Sequence, residues 1–479
     1  MKIKNNLPLI LLFCLYGIFL ALNLMAYAGG SDSSGYLNAA RLIAAGKLHE
    51  KQRIVEGFSA SQISSNSYIP LGFTPSSNEE MVPTYPLGLP ILISLTSFIT
   101  DLAAAPHIVM WLHAIGSLIL IYNFALILNL EKFWAVIATI LLAINPLFIS
   151  YSLQLMSDMP SLFWCGLTIF SALKTREKVN WAIIAGASAG IAVMIRPANI
   201  LIFIPLLIAL GKNWRSLIYC GLAGLPFAAI MLILNHGLYG KFITTGYGDA
   251  SSLFSLKNIP PSIDAYARYL PLELTPFALL AVGIFMPKIW RQNQRILVVI
   301  AAWIVPFLIF YSCYQFTHET WWYMRFLLPI FPAIILAMIL TVRNIHESLP
   351  KFRMMILMFF LTFSFYWQAS VFVRLPILSD EGLSYFKATN WANNNLPKNS
   401  IFITMQTSGA LLHYTDFSII RYESVDKKSL EEIEKIQRPI YAMLFPFELE
   451  DVLEVRFPGK WVKVTEVNPI TIWRLDNEK

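Results

Sequence analysis

The first acidic residue of the chain, Asp32, lies in the stretch AGGSDSSGYLNAARLIAAGKL (28–48), ringed by Ser31, Ser33 and Ser34. An apolar run of about twenty residues ends just before it. A carboxylate there has two uses. It can start a helix, accepting backbone N–H bonds at the positive end of the dipole, or it can do chemistry at a lipid surface. Any of the three serines could cap equally well, so the acid is not needed for capping alone. Other side chains invite the same question. Asp158 precedes Pro160 in LMSDMPSLFW, where it either caps a helix start or adds a second acid to a site. Arg196 and Arg325 stand at the ends of apolar runs, able to hold an anion or to snorkel. His318 and Glu319 are adjacent metal-capable groups, where a zinc site uses three or four ligands. Trp321, Trp322 and Tyr323 can stack on a ligand or form an interfacial belt.

These residues are positioned by a chain that is 56% hydrophobic and only 14% charged, with a mean hydropathy of +0.58. Soluble domains carry roughly 25% charged residues, so most of this one is solvated by lipid. The net charge of +7 does not indicate nucleic acid. Its Lys and Arg fall mostly in short loops between apolar runs, the positive-inside distribution. Cys14, Cys165, Cys220 and Cys313 all lie within apolar runs without a CxxC pair, and read as small core hydrophobes.

Apolar segments near spanning length run at 7–27, 103–129, 133–150, 159–173, 179–195, 197–211, 216–235, 273–287, 296–314, 326–342 and 354–373, about eleven membrane helices. The first has an A-x-A pattern at Ala26–Ala28, yet it is longer than a signal-peptide core and reads as an uncleaved span. The run at 86–100 covers only ~22 Å as a helix, short of a ~30 Å hydrocarbon core, and reads as interfacial or re-entrant. With Lys2 and Lys4 inside, the loops carrying Lys132, Lys174, Arg176, Lys178, Lys212, Arg215, Lys288, Arg291, Arg295, Arg343, Lys351 and Arg353 all fall on the cytoplasmic side. Arg196 and Arg325 then break the trend by falling outside.

The expected fold is mainly α: a polytopic membrane domain over 1–374, whose outer loop 28–102 carries Asp32 just before the first turn of a surface-lying helix over 35–45 with Ser34, Asn38 and Arg41 on its polar face, followed by a small extracytoplasmic α/β domain over 375–479. In that tail SIFITM, FSIIRY, PIYAMLF and ITIWRL read as strands, and LSYFKATNWANNN and SLEEIEKI as helices. The spans hold almost no ionisable groups away from their ends, His107 and His113 aside. A coupled transporter keeps such groups at mid-depth, which disfavours that class.

The ordered series SDSSGYLNAARLIAAGKL, YPLGLPILISL, MSDMPSLFW, RPANILIFIPLL, GKFITTGYG and RFLLPIFPAII resembles the bacterial branch of the GT-C membrane glycosyltransferases, which includes aminoarabinose transferases and is related to protein O-mannosyltransferases. The resemblance implies an inverting transfer of sugar from a polyprenyl-phosphate donor to a hydroxyl of a lipid, glycan or protein. It maps the catalytic acid onto Asp32. Many relatives have a second adjacent acid, where this chain has Ser33, so a metal held by such a pair is not supported and a divalent metal stays open. The same chemistry needs cations for the departing phosphate, for which Arg325 and Arg196 are the candidates, with Tyr85, Asp158 and Asp249 as further polar contacts. The alternatives are a flippase for lipid-linked sugars and a non-catalytic scaffold of the same architecture.

Overall fold

The computed structural model describes residues 7–56, 64, 66–291, 294–374, 381–425, 435, 437–459 and 461–476. The chain is mainly helical with a small sheet near its C-terminus, and it divides into two compact units. One comprises 1–24, 109–231 and 249–378; the other comprises 25–108, 232–248 and 379–479.

In the first unit every apolar segment foreseen from the sequence contains a helix. Among the described residues, five helices are long and apolar enough to cross a membrane, and up to seven if each of two bent pairs is one span. Exposure separates their roles. Leu222, Leu225 and Ile233 of Trp214–Tyr239 are 63%, 63% and 67% exposed. Such a surface needs lipid. Helix Phe331–Ser348 is instead buried along almost its whole length.

The two bent pairs show how breaks are tolerated in an apolar unit. Lys132–Ala143 turns by 60° into Pro146–Leu153, and Leu256–Glu273 turns by 107° into Pro276–Phe285. Pro146 opens its helix, with Asn145 Oδ1 accepting from Phe148 N at 2.9 Å. Asn145 Nδ2 donates to Glu273 O at the other break, 2.7 Å away. Trp367 Nε1 donates to Pro271 O at 3.0 Å, and Gln368 Nε2 donates to Leu274 O. Side chains thus satisfy carbonyls freed by the bend, as a water-poor environment requires.

The basic loops expected to share a side meet one another. Arg343 pairs with Glu131 at 2.6 Å, Lys288 Nζ donates to Ser348 Oγ at 2.9 Å, and Arg295 donates to Ala209 O at 2.6 Å.

In the second unit, short strands β1 (Glu50–Lys51), β2 (Phe73–Pro75) and β3 (Glu80–Pro83) form an antiparallel sheet ordered β1-β3-β2. The helix Gly88–Ser97, at ten residues, is too short to span, as its sequence indicated. The C-terminal sheet comprises β4 (Ile401–Ile403), β5 (Ser418–Ile420), β6 (Ile440–Leu444), β7 (Trp461–Val467) and β8 (Ile470–Leu475), ordered β5-β4-β6-β8-β7. β5, β4 and β6 are parallel, and β8 and β7 are antiparallel additions. Four of these strands were legible. β7, WVKVTEV, was not read from the sequence, and neither was the helix Ser408–Tyr414. The expected helix SLEEIEKI lies largely outside the described residues. Leu42, Ile69, Phe73 and Met81 of the loop share one core with Tyr385, Phe402, Leu411 and Ile472, so loop and tail fold together.

Candidate active site

The helix carrying Asp32 runs from Ser31 to Ala44, so the acid lies within the first turn rather than before it. Its N-cap is Gly30, which has no side chain to cap with. The serines have other partners. Gly29 N–H donates to Ser33 Oγ at 3.1 Å, Ser34 Oγ donates to Gly30 O at 2.8 Å, and Ser31 Oγ meets Tyr85 Oη at 2.5 Å. Tyr85 is also hydrogen-bonded to the Asp32 carboxylate. Burial first, and then the negative charge of Asp32, push the Tyr85 phenol well above its ordinary value. The phenol therefore keeps its proton. It donates to Asp32 and accepts from Ser31.

Glycine makes this contact possible. A Cβ on Gly35, one turn after Ser31, would lie 2.5 and 2.7 Å from atoms of the Tyr85 ring and 3.0 Å from Gly72 Cα. Gly72 itself has φ +91°, the left-handed region open to glycine. Tyr36 and Tyr247 flank the Tyr85 ring at centroid distances of 5.3 and 5.8 Å. Tyr247 belongs to TTGYG, where Gly246 packs against Thr84.

The sequence suggested a helix with one wet face along a membrane. The structure corrects that reading: Ser34 and Asn38, on the supposed polar face, are both fully buried. The amide of Asn38 is taken up by Gly409 O at 3.0 Å and by His413, so this face packs against protein instead of water.

The arginine candidates lie in the helical unit. Arg196 follows helix Trp181–Ile195 in an extended conformation (φ −150°, ψ 113°), as the next residue, Pro197, favours. Its Nη2 donates to Asp158 Oδ1 and to Ser157 Oγ, each at 3.0 Å. The Asp158 side chain is 0% exposed, so the pair is largely desolvated. Asp158 therefore serves as the carboxylate partner of Arg196, and the N-cap Ser157 makes no side-chain cap bond. Arg325 lies in a 3₁₀ segment, Trp321–Ile330, leading into Phe331–Ser348. Arg196 and Arg325 both stack on Phe326, with Cζ 5.2 and 5.1 Å from its ring centroid. Arg325 also lies 5.9 Å from the Tyr151 ring. Phe326 in turn stacks on Tyr311, 5.3 Å away with planes 8° apart. Two guanidinium groups are thus brought to one aromatic shelf.

His318 and Glu319 gain no third ligand, since no group of three His, Cys, Asp or Glu able to hold a metal occurs among the described residues. Asp249 is an exposed turn residue whose Oδ1 accepts from Ser251 N at 2.9 Å. Trp322 is 45% exposed and meets Trp321 edge-on at 5.9 Å. Sequence reasoning missed Tyr36, Tyr247, Tyr151 and Phe326, and saw Ser31 only as a neighbour. A glycine one turn beyond Ser31 was the available signal that a ring must approach there.

Comparison with known proteins agrees with this architecture. Residues 108–235 match the family model described as dolichyl-phosphate-mannose-protein mannosyltransferase. Among solved structures, ArnT from Cupriavidus metallidurans bound to undecaprenyl phosphate is similar at a TM-score of 0.61 and 12% identity, over 98% of both chains. Its apo state gives 0.58 at 12% identity, again over 98% of both. The archaeal oligosaccharyltransferase AglB from Archaeoglobus fulgidus, in complex with an inhibitory peptide and a dolichol-phosphate, gives 0.55 at 13% identity, over 94% of this chain and 70% of its own. No curated protein matches the sequence significantly. The fold is thus similar to those of ArnT and AglB, and residues 108–235 carry the match to the mannosyltransferase family model.

Proposed function

We propose that the protein is a multi-pass membrane glycosyltransferase moving a sugar from a polyprenyl-phosphate donor to a hydroxyl of a lipid, glycan or protein. Its proposed setting is a bacterial plasma membrane, with the N-terminus cytoplasmic and both Asp32 and the C-terminal domain outside. The observation that carries the reading is the state of Asp32. It lies directly after the first helix, in a turn whose serines are occupied elsewhere, and its carboxylate is oriented by Tyr85. The ArnT and AglB structures, with undecaprenyl phosphate and dolichol-phosphate bound, support the choice of donor class.

In this mechanism the Asp32 carboxylate accepts the proton of the acceptor hydroxyl as that oxygen attacks the anomeric carbon. The bond from that carbon to the phosphate oxygen breaks, its electron pair leaves with the polyprenyl phosphate, and the configuration inverts. Arg325 and Arg196 are the proposed cations for the phosphate. Tyr85 acts through Asp32 by holding its orientation. The test incubates purified protein with a panel of radiolabelled polyprenyl-phosphate sugars and acceptor lipids, wild type beside Asp32→Asn. Product formed by the wild type and lost in a variant with unchanged thermal unfolding is the expected result. Equal product from both would remove Asp32 from the chemistry, and a wild type inert to every donor would return the flippase and scaffold readings.

A further inference from the structure

The C-terminal segment has parallel strands β5, β4 and β6, and open sheets of this kind hold ligands beyond the carboxyl ends of their strands. In this chain that place is occupied by protein. Thr404 Oγ1, in the loop after β4, donates to Met443 O of β6 at 2.7 Å and accepts from Thr407 Oγ1 at 2.7 Å, whose oxygen lies 3.2 Å from the same carbonyl. The helix Ser408–Tyr414 that follows lies against the helix bearing Asp32. Ser408 Oγ accepts from Leu71 N at 3.0 Å. A Cβ on Gly409 would fall on Ser34, 2.7 Å from its Cβ, and 2.9 Å from Leu71 O. Asn38 Nδ2 donates to Gly409 O at 3.0 Å, and His413 Nδ1 lies 3.3 Å from Asn38 Oδ1. Ser34 and Asn38 are one helical turn apart, so a single face of the acid-bearing helix is keyed to this short helix.

A second set of contacts acts on the other side of Asp32. Ala28 N–H donates to the Tyr414 hydroxyl at 2.9 Å. Tyr385 packs at Gly29 and Gly30, its atoms 3.7 and 3.6 Å from where their Cβ atoms would lie. The short helix is held in turn by the loop: Arg53 donates to Leu412 O at 2.9 Å and to Thr415 O at 2.5 Å, carbonyls at its C-terminal end.

We infer that the C-terminal domain is a positioning element for Asp32, with Tyr414, Gly409 and Asn38 fixing the backbone on both sides of the acid. This assignment rests on the proposed role of Asp32 for its catalytic meaning, while the restraint itself can be measured without turnover. Tyr414→Phe deletes one hydroxyl and keeps the ring that meets Phe386 and His413 at 5.1 and 4.7 Å. The expected result has three parts. Amide exchange across residues 26–34 accelerates about tenfold, turnover falls about tenfold, and both the affinity for undecaprenyl phosphate and the unfolding midpoint stay as in the wild type. Gly409→Ala should accelerate the same amides more; if it does not fold, Tyr414→Phe alone decides. Unchanged exchange at 26–34 in Tyr414→Phe overturns the inference, and so does a loss of turnover that comes with equal losses in lipid affinity and unfolding midpoint. Faster exchange at 26–34, found together with a fully active Asp32→Asn enzyme, would uphold the restraint and refute only the base assignment.

Discussion

The two units place their polar groups by different means. Around Asp32 the work is done by short hydrogen bonds and by glycines: Ser31, Tyr85, Gly35, Gly72, Asn38 and Gly409 fit with almost no spare volume. Around Arg196 and Arg325 it is done by one desolvated ion pair and by aromatic faces, with Phe326 shared between both cations. Hydrogen bonds fix direction to within tens of degrees, which suits a proton acceptor. Stacked guanidinium groups keep their charge while leaving freedom to slide, which suits a group that must follow a departing anion. The acid-bearing unit is therefore expected to be sensitive to single atoms, and the arginine shelf to charge.

The sharpest break of that contrast is at Asp32. Asn for Asp keeps the shape and removes the proton acceptor, so transfer should fall by roughly 10²–10⁴-fold while the unfolding midpoint stays put. Next is Arg196→Ala, which leaves Asp158 buried without its cation. Breaking a buried pair on one side costs about 3–5 kcal/mol, and thermal unfolding in detergent should show it. Adding Asp158→Asn should recover part of the loss. A stable Arg196→Ala protein would mean that the pair is more solvated than its geometry indicates.

His413 tests whether the acid-bearing unit is held by neutral groups. It meets Asn38 and Tyr414, and Arg41 on the acid-bearing helix adds a positive charge nearby. Burial first, and Arg41 second, lower its pKa from 6.5 to about 4. Between those values the unfolded chain carries a proton on His413 that the folded chain does not. Stability from this group is therefore full above about pH 6.5 and falls as the pH drops towards 4, by on the order of 3 kcal/mol at ~1.4 kcal/mol per pKa unit. Arg41 is paired to Glu50 at 2.9 Å, and Arg53 donates to Leu412 O at the helix end. His413→Gln should flatten this slope in unfolding measured from pH 4 to 7. An unchanged slope would assign the acid sensitivity to other groups.

Legibility followed the same division. Apolar period and length gave the helices, because in lipid the one-dimensional pattern decides burial. Four tail strands were legible for the same reason: each is a β-branched or aromatic run buried on a sheet. Breaks were less visible. Pro146 and Pro276 mark the bends, but nothing local says that Asn145 will reach Glu273, 128 residues away. Asp32 could be singled out from its position, whereas its partner Tyr85 is 53 residues on and was read as a ligand contact. The wet face assigned to Ser34 and Asn38 failed because their partner, Gly409, lies in a part of the chain that hydrophobic pattern cannot connect to Asn38, 371 residues earlier.

The finest test separates two roles for Tyr85. If its hydroxyl serves Asp32, Tyr85→Phe removes the hydrogen bond to that charged group and the one from Ser31, while the ring stays between Tyr36 and Tyr247 and over Gly35. A bond of that kind is worth about 1.5–3 kcal/mol, and a neighbouring Ser31 can compensate in part, so turnover should fall about tenfold with KM for the lipid-linked sugar unchanged. Because burial and Asp32 hold the phenol protonated well above its ordinary value of 10, the wild-type rate should show no alkaline loss from this residue near pH 10. If Tyr85 instead touches the donor, KM should rise while turnover at saturation holds. That outcome would move Tyr85 from the acid to the substrate, and would leave Ser31 as the hydroxyl to examine for orienting Asp32.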